Sequence, residues 1–214
     1  MPRREKDQEM GVSLTTPGTI RRLQEALGTK AKQALAYRCY VLYDKVYRAD
    51  LLAQAYALAK QRDGAAGMDG ETFEAMEAAG RERWLAAVQD ALRTETARPQ
   101  PVRRVRMPNP AGGERPRGIP TIWDRVVQPA VRLILQPIVE ADRDPTAYGY
   151  RPGRTAHEAV KAVHRALCAG QTQVVDADVS QSFDTMPHAA LMRALARRIS
   201  DRTWLRLLKR GLKA

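Results

Sequence analysis

The sequence contains little cysteine, histidine or phenylalanine and no long apolar run. Its two cysteines, Cys39 and Cys168, are far apart, which excludes a paired metal-binding motif and is typical of reduced thiols in a cytoplasmic protein. Three scattered histidines argue against a zinc site. No apolar stretch is long enough to span a bilayer, and the charged N-terminus lacks the apolar core of a signal peptide. We therefore expect a cytoplasmic protein without membrane contact.

Acidic residues are also in the minority. The chain has 36 Lys and Arg residues against 24 Asp and Glu, which gives a formal net charge of +12 over 214 residues. A surplus of this size favours a polyanionic partner, nucleic acid before an anionic membrane. The hydrophobic fraction of 44% is that of a folded chain, so the charge belongs to a protein with a core.

Apolar residues at helical spacing predict several helices. One is expected to start at Asp50 as its N-cap, a second carries Trp84, and a third starts at Asp124 as its cap. Pro137 is expected to end or kink this third helix. A further helix begins with the capping box Thr155–Glu158.

Two segments are expected to be extended. Residues 101–120 alternate on both sides of the turn sequence PNPAGG, which predicts a β-hairpin, and QVVDADV (173–179) predicts a buried strand. A last helical region carries Leu191, Leu195 and Ile199. The order of helices, hairpin, helices, strand and helix is an α+β pattern with an unfinished sheet.

The predicted strand ends in acidic residues. Asp176 and Asp178 would share one face of it, and paired carboxylates of this kind are ligands that Mg²⁺ accepts in phosphoryl-transfer sites. The alternative is a strand end whose acids cap the next turn or pair with arginines. From these residues alone, the alternative is favoured.

The segment around the hairpin is rich in arginine. Eight arginines lie between Arg98 and Arg132, against the two acids Glu114 and Asp124. Because the planar guanidinium binds phosphate oxygens in pairs, the hairpin could hold a triphosphate or a nucleic-acid backbone. Equally, the arginines could form a solvated edge that resists pairing with other chains.

The loop YGYRPGR (148–154) places two tyrosines and two arginines around a Pro-Gly turn. These side chains could stack on a nucleic-acid strand and clamp it. An ordinary loop whose tyrosines pack on the core explains the composition as well.

Taken in order, five segments resemble the N-terminal part of bacterial group II intron reverse transcriptase/maturases. One segment alone is weakly specific, whereas five in the same order at compatible spacing are strongly so, and they cover nearly everything after residue 20. The segments are YRCYVLYDKVYRADLL (37–52), GAAGMDGETF (64–73), RRVRMPNPAGGERPRGIPTIWDRVVQPA (103–130), AYGYRPGRTAHEAV (147–160) and VVDADVSQSFDTMPH (174–188).

The resemblance implies a right-hand polymerase architecture, in which a helix-rich N-terminal half and fingers precede the beginning of a palm sheet. The implied domains are a flexible basic arm (1–18), an N-terminal helical extension (19–63), fingers with the basic hairpin (64–145) and the start of the palm (146–214).

The resemblance also implies roles for the residues of the acidic segment VVDADVSQSFD (174–184). It implies that Asp178 is a catalytic carboxylate that binds Mg²⁺ together with the backbone carbonyl of Val179. Phe183 is expected to lie under the sugar of the nucleotide. Asp176 and Asp184 are then supporting or structural carboxylates.

For the hairpin, the resemblance matches Arg115 to the arginine that meets the incoming triphosphate, with Arg103 or Arg104 assisting from the adjacent strand. Asn109 and Glu114 stand where relatives usually have lysines. Further nucleic-acid contacts are expected from Arg106, Arg117, Arg125, Tyr150, Arg151 and Arg154.

One family element is missing from the sequence. The family completes its metal site with a Tyr-x-Asp-Asp hairpin, and no Asp-Asp pair is present. We therefore expect a truncated N-terminal portion of an RNA-directed DNA polymerase, inactive by itself and prone to self-association through its unfinished sheet. The complete enzyme would act on RNA, a DNA primer and dNTPs with Mg²⁺. The alternative is a non-catalytic RNA-binding module derived from a maturase, and a helix-turn-helix DNA-binding regulator ranks behind both.

Overall fold

The computed structural model describes residues 15–108, 113–179 and 185–213, so most of the expected N-terminal arm lies outside the described residues. Over these ranges the chain is rich in helix and has one two-stranded sheet, which confirms the α+β prediction at that level. No helix there is long and apolar enough to cross a membrane. The elements are α1 (Gly18–Gln33), α2 (Tyr43–Val46), α3 (Ala49–Arg62), α4 (Phe73–Arg93), β1 (Arg103–Pro108), β2 (Glu114–Ile119), α5 (Ile122–Glu140), α6 (Ala156–Cys168), α7 (His188–Arg198) and α8 (Arg202–Gly211).

Helix α5 forms the centre of the core and packs against α3 and α1. The expectation that Pro137 ends this helix is wrong, because α5 continues to Glu140. A proline cannot donate to the carbonyl four residues earlier. That carbonyl, on Leu133, accepts a hydrogen bond of 2.9 Å from Gln24 Nε2 of α1. The neighbouring helix thus satisfies the group that the proline leaves unpaired.

An aromatic cluster joins α3, α4 and α5. Tyr56 of α3 contacts Phe73 and Trp84 of α4, with ring centroids 5.5 and 5.9 Å apart. Trp84 in turn contacts Trp123 of α5 edge to face at 6.0 Å. Edge and tilted arrangements are favourable for aromatic rings. They hold α4 on the core although Gly80, with φ of +106°, interrupts the helix.

Both ends of the β1–β2 hairpin are attached to the start of α5, and the predicted hairpin is confirmed. The buried Thr121 is the N-cap of α5 and donates to Asp124 Oδ2 at 2.9 Å. The same carboxylate accepts from the N–H of Gln100, just before β1, at 3.1 Å. Asp124 is therefore not the cap but holds the incoming strand. A Cβ on Gly67 would lie 2.7 Å from Thr121 Cα, so this loop packs backbone to backbone against the end of β2.

Other helix starts show how local pairing decides the cap. Arg48, not Asp50, precedes α3, and Asp50 in the first turn accepts from the Arg48 guanidinium at 2.7 Å. An acid in the first turn still favours the helix through its dipole. The capping box of α6 is confirmed, because Thr155 and Glu158 each accept a hydrogen bond from the backbone N–H of the other.

After α7 the chain returns to the N-terminal helices. Ile199, expected within the last helix, is extended and forms a parallel bridge with Cys39. Arg198 is buried and donates to three carbonyl groups at the C-terminal end of α1. The α7–α8 unit is thereby held on the helices that begin the described chain.

The segment between α5 and α7 packs little. Helix α6 has no buried residue, and residues 171–179 have no regular secondary structure. The strand predicted over 173–179 is therefore wrong, and Val174, Val175 and Val179 are exposed. A strand needs a neighbour for its N–H and C=O groups. Within the described ranges, β1 and β2 pair only with each other.

Candidate nucleic-acid interface and acidic segment

The register of β1 and β2 sorts the arginines of the hairpin onto two faces. Arg103 lies opposite Ile119, and Arg104 lies opposite Gly118. Directly opposed residues share a face, and neighbours along a strand alternate between faces. Positions 103, 105, 107, 115, 117 and 119 therefore belong to one face, and positions 104, 106, 108, 114, 116 and 118 belong to the other.

This register separates the two candidates for assisting Arg115. Arg115 lies in β2 opposite Met107, so its position belongs to the face of Arg103 and Arg117, whereas Arg104 belongs to the other face. Arg103 Nε is also buried without a hydrogen-bond partner among the described residues. Of the two alternatives that the sequence left open, the geometry favours Arg103.

The other face of the hairpin is partly neutralised. Arg106 and Glu114 form an exposed ion pair of 3.2 Å, and with Arg104 they line a small cavity of 220 Å³. An exposed pair contributes little to stability. Glu114 therefore lowers the positive charge around Arg104 and Arg106 and leaves the face of Arg103 and Arg117 basic.

Arg125 was expected to contact nucleic acid, but the fold uses its guanidinium. Its Nε donates to the carbonyl of Pro120 at 3.1 Å. Its terminal nitrogens donate to the carbonyls of Gly64 and Ala65. Arg125 thus ties the loop before α4 to the end of β2 and stabilises the base of the hairpin.

In the loop 148–154, some side chains form hydrogen bonds within the fold and others are exposed to solvent. Arg151 is 7% exposed, and it donates to Glu140 Oε1 at 2.5 and 2.8 Å, which fixes the loop to α5. The Arg154 guanidinium lies 5.4 Å from the ring centroid of Tyr148. Tyr150, with φ of +56°, is 91% exposed. Tyr150 and Arg154, rather than Arg151, are the groups that a nucleic acid could reach.

The described part of the acidic segment, residues 174–179, is exposed along its whole length. Asp176 and Asp178 are exposed in the irregular stretch after α6, and neither carboxylate has a hydrogen bond or ion pair with another described residue. Within the described ranges, no cluster of three or more His, Cys, Asp or Glu side chains is suited to a metal ion. Phe183 and Asp184 lie outside the described residues.

A larger groove of 890 Å³ follows α5 and was missed from the sequence. Its walls come from the hairpin base, the loop 148–154 and α8, and its apolar lining includes Val127, Val131 and Leu208. These elements are far apart in the chain, so no local pattern predicts their meeting. The only local indication was the long apolar stripe of α5.

Comparison with protein families matches residues 107–212 to the reverse transcriptase (RNA-dependent DNA polymerase) family. The match starts inside β1 and continues through β2, the loop 148–154 and the acidic segment to the end of α8. The class of protein is therefore that of the reverse transcriptases, and the matched residues include strand β2 and the acidic residues Asp176 and Asp178.

Individual relatives narrow the class. Protein YkfC of Escherichia coli (strain K12) is 35% identical over 201 residues, which cover 91% of this chain and 52% of YkfC. Group II intron-encoded protein LtrA of Lactococcus lactis subsp. cremoris is 31% identical over 176 residues, 81% of this chain and 28% of LtrA. Nuclear intron maturase 1, mitochondrial, of Arabidopsis thaliana is 33% identical over 94 residues, 44% of this chain and 13% of the maturase. The chain belongs to the group II intron reverse transcriptase/maturase family and spans about half of YkfC and less of the others.

Reverse transcriptases generally use divalent metal ions, and the described residues do not form a complete site for one. Asp176 and Asp178 supply carboxylates on an exposed, irregular segment, and no further acid or histidine among the described residues joins them. A Mg²⁺ ion needs several oxygen ligands in near-octahedral geometry. We therefore assign no reaction step to a metal on these residues.

Proposed function

We propose that this chain carries the fingers and the beginning of the palm of an RNA-directed DNA polymerase of the group II intron type. The observation that supports this most is the basic face of the hairpin, which contains Arg103, Arg117 and the position of Arg115. Guanidinium groups pair with phosphate oxygens, and a hairpin attached at both ends can present them in fixed positions. In this proposal the boundaries are an extension over 19–63, fingers over 64–145 and palm from 146.

The proposed roles follow the two faces. Arg115 and Arg103 bind the triphosphate of the incoming dNTP, and when no dNTP is bound, Arg103 and Arg117 on this face pair with phosphates of the RNA. Arg104 and Arg106 on the opposite face also contact the nucleic-acid backbone. Tyr150 and Arg154 contribute a stacking and clamping surface beside α5. Asp178 and the carbonyl of Val179 supply part of a Mg²⁺ site, Phe183 contacts the sugar, and further ligands come from residues other than those described.

Charge removal on the basic face tests the nucleic-acid interface. The double variant Arg103→Gln/Arg117→Gln should bind an RNA stem-loop more weakly than the wild type. Because each phosphate contact releases counterions, the slope of log Kd against log salt should also fall by about 1.4–1.8. Fluorescence anisotropy over a salt series measures both quantities.

Arg81→Gln/Arg83→Gln is the matched control, since it removes two exposed arginines from α4. If the two double variants lost RNA affinity equally, RNA binding would depend on the total charge of the protein and not on the hairpin. Circular dichroism of Arg103→Gln/Arg117→Gln would confirm that its fold is retained.

The second candidate is a non-catalytic RNA-binding module, which the exposed acidic segment and the absence of a complete metal cluster among the described residues favour. We expect the purified chain, given an RNA template, a DNA primer, dNTPs and Mg²⁺, to bind the primer–template without extending it. Template-dependent DNA synthesis that Asp178→Asn abolishes would contradict this expectation. The gene sequence after codon 214 separates the candidates, because an in-frame Tyr-x-Asp-Asp favours the enzyme and a stop codon favours the module.

A further inference from the structure

Helix α8 carries a second basic surface, separate from the hairpin. Arg202, Arg206, Lys209 and Lys213 follow one another at intervals of four, three and four residues. This spacing puts them along one side of α8 and its C-terminal end, and all four are exposed. We call these four residues the α8 row.

The opposite side of α8 is already used by the fold. Trp204 is fully buried and Leu207 is 8% exposed, and Leu207 and Leu208 line the groove beside the hairpin base. The α8 row therefore points away from that groove. A helix that binds a bilayer surface needs its apolar side for the lipid, and here that side is inside the protein.

Little negative charge neutralises the α8 row. Residues 188–213 contain eight Lys and Arg residues and one acid, Asp201, whose carboxylate accepts backbone hydrogen bonds at the start of α8. Glu95 pairs with Arg206 at 2.9 Å. No described residue forms an ion pair with Arg202, Lys209 or Lys213. The charge of these three side chains is available to a partner.

We infer that the α8 row is a second contact for RNA, which binds the phosphate backbone without reading sequence. Arg202 and Lys209 are about 10 Å apart along the helix axis, which matches about three phosphates of one strand. The only aromatic residue of α8, Trp204, is buried, so this surface has cations for phosphates and no ring for stacking on bases. The inference rests on the proposed RNA partner and adds a surface that the hairpin does not provide.

The test compares three double variants of the whole chain. Arg202→Gln/Lys209→Gln should weaken binding of a fluorescein-labelled RNA stem-loop and lower its salt slope by about 1.4–1.8. Permuting the sequence of the stem while keeping its length should leave the loss unchanged, since phosphates are contacted. Arg81→Gln/Arg83→Gln should keep the wild-type slope. The side chains of Arg202 and Lys209 are exposed and form no hydrogen bond or ion pair with a described residue, so thermal unfolding of the variant should match the wild type.

The outcomes separate this inference from the proposed function. If RNA affinity fell in Arg103→Gln/Arg117→Gln but stayed at the wild-type value in Arg202→Gln/Lys209→Gln, the α8 contact would be overturned and the hairpin interface would stand. If RNA affinity fell only in Arg202→Gln/Lys209→Gln, the α8 contact would be supported and the hairpin interface overturned. Binding of the wild type to phosphatidylserine vesicles that needs Arg202 and Lys209, with unchanged RNA affinity in the variant, would assign the row to a membrane and overturn the inference.

Discussion

Asp201→Ala is expected to lower the free energy of unfolding by about 2–4 kcal/mol, because one carboxylate serves two parts of the chain. It caps α8 by accepting from the N–H of Trp204 at 3.0 Å. It also accepts from the N–H groups of Leu42 and Tyr43 at 2.8 Å each, which attaches α8 to the start of α2. Alanine would leave all three N–H groups without this partner. Urea unfolding followed by circular dichroism measures the loss.

The contribution of Asp201 depends on pH. Burial by itself would raise the pKa of its carboxyl, but hydrogen bonds from the backbone N–H groups of Trp204, Leu42 and Tyr43 outweigh burial and hold that pKa below its ordinary value. The stabilisation is therefore complete above the unfolded-state pKa of about 3.9 and is lost as pH falls through the folded-state pKa. The difference in unfolding free energy between wild type and Asp201→Ala should narrow in that acidic range.

Two variants control this result. Asp201→Asn keeps an oxygen acceptor without the charge, so its free energy of unfolding should fall less than that of Asp201→Ala. The contribution of residue 201 to stability should then no longer depend on pH in the acidic range. Asp44→Ala removes an exposed aspartate that pairs with the adjacent Lys45, and such a pair contributes at most about 1 kcal/mol. If Asp201→Ala lowered the free energy of unfolding no more than Asp44→Ala does, the stability of α8 would not depend on this cap.

Arg198→Ala is expected to lower the free energy of unfolding by a similar amount, about 2–4 kcal/mol. The Arg198 side chain is 10% exposed, and its guanidinium donates to the carbonyls of Ala31, Ala34 and Leu35 at the end of α1. A cation also interacts favourably with the C-terminal end of a helix. Its Nε lies 2.9 Å from Asp142 Oδ2, a distance typical of an ion pair, although the N–H is not aligned for a hydrogen bond.

The partners of Arg198 can be tested separately. Asp142 is 41% exposed, so Asp142→Ala should cost less than about 1 kcal/mol. Arg198→Lys keeps the charge but not the planar set of donors, and it should recover only part of the loss. Thermal unfolding of the three variants ranks them. A loss in Asp142→Ala equal to that in Arg198→Ala would show that the ion pair, and not the α1 carbonyls, holds α7.

Local pattern was sufficient for the elements whose partners are close in sequence. The capping box Thr155–Glu158 uses residues three apart, and β1 and β2 are separated by only five residues in the chain, so both predictions are confirmed. The strand over 173–179 failed for the opposite reason. Its β-forming residues need a neighbouring strand from elsewhere, and none lies beside it among the described residues.

Functional residues divide in the same way. The sequence indicated which segments are rich in arginine, but it could not tell Arg103 from Arg104, because the register decides the face. Nor could it show that Arg125 and Arg151 donate to groups within the fold, since three of their acceptors lie 11 to 61 residues away. A guanidinium looks the same in sequence whether its partner is a phosphate or a carbonyl.

By itself, the sequence determined the basic character of the protein, its amphipathic helices, its hairpin and its membership of the group II intron reverse transcriptase/maturase family, because charge, periodicity and motif order are properties of neighbouring residues. The tertiary structure alone decided which arginines remain available to a polyanion, that Gln24 compensates for Pro137, and that α8 presents a row of cations outward. Those outcomes depend on contacts between residues distant in the chain, and the free energy of such contacts is set by burial and geometry rather than by residue type.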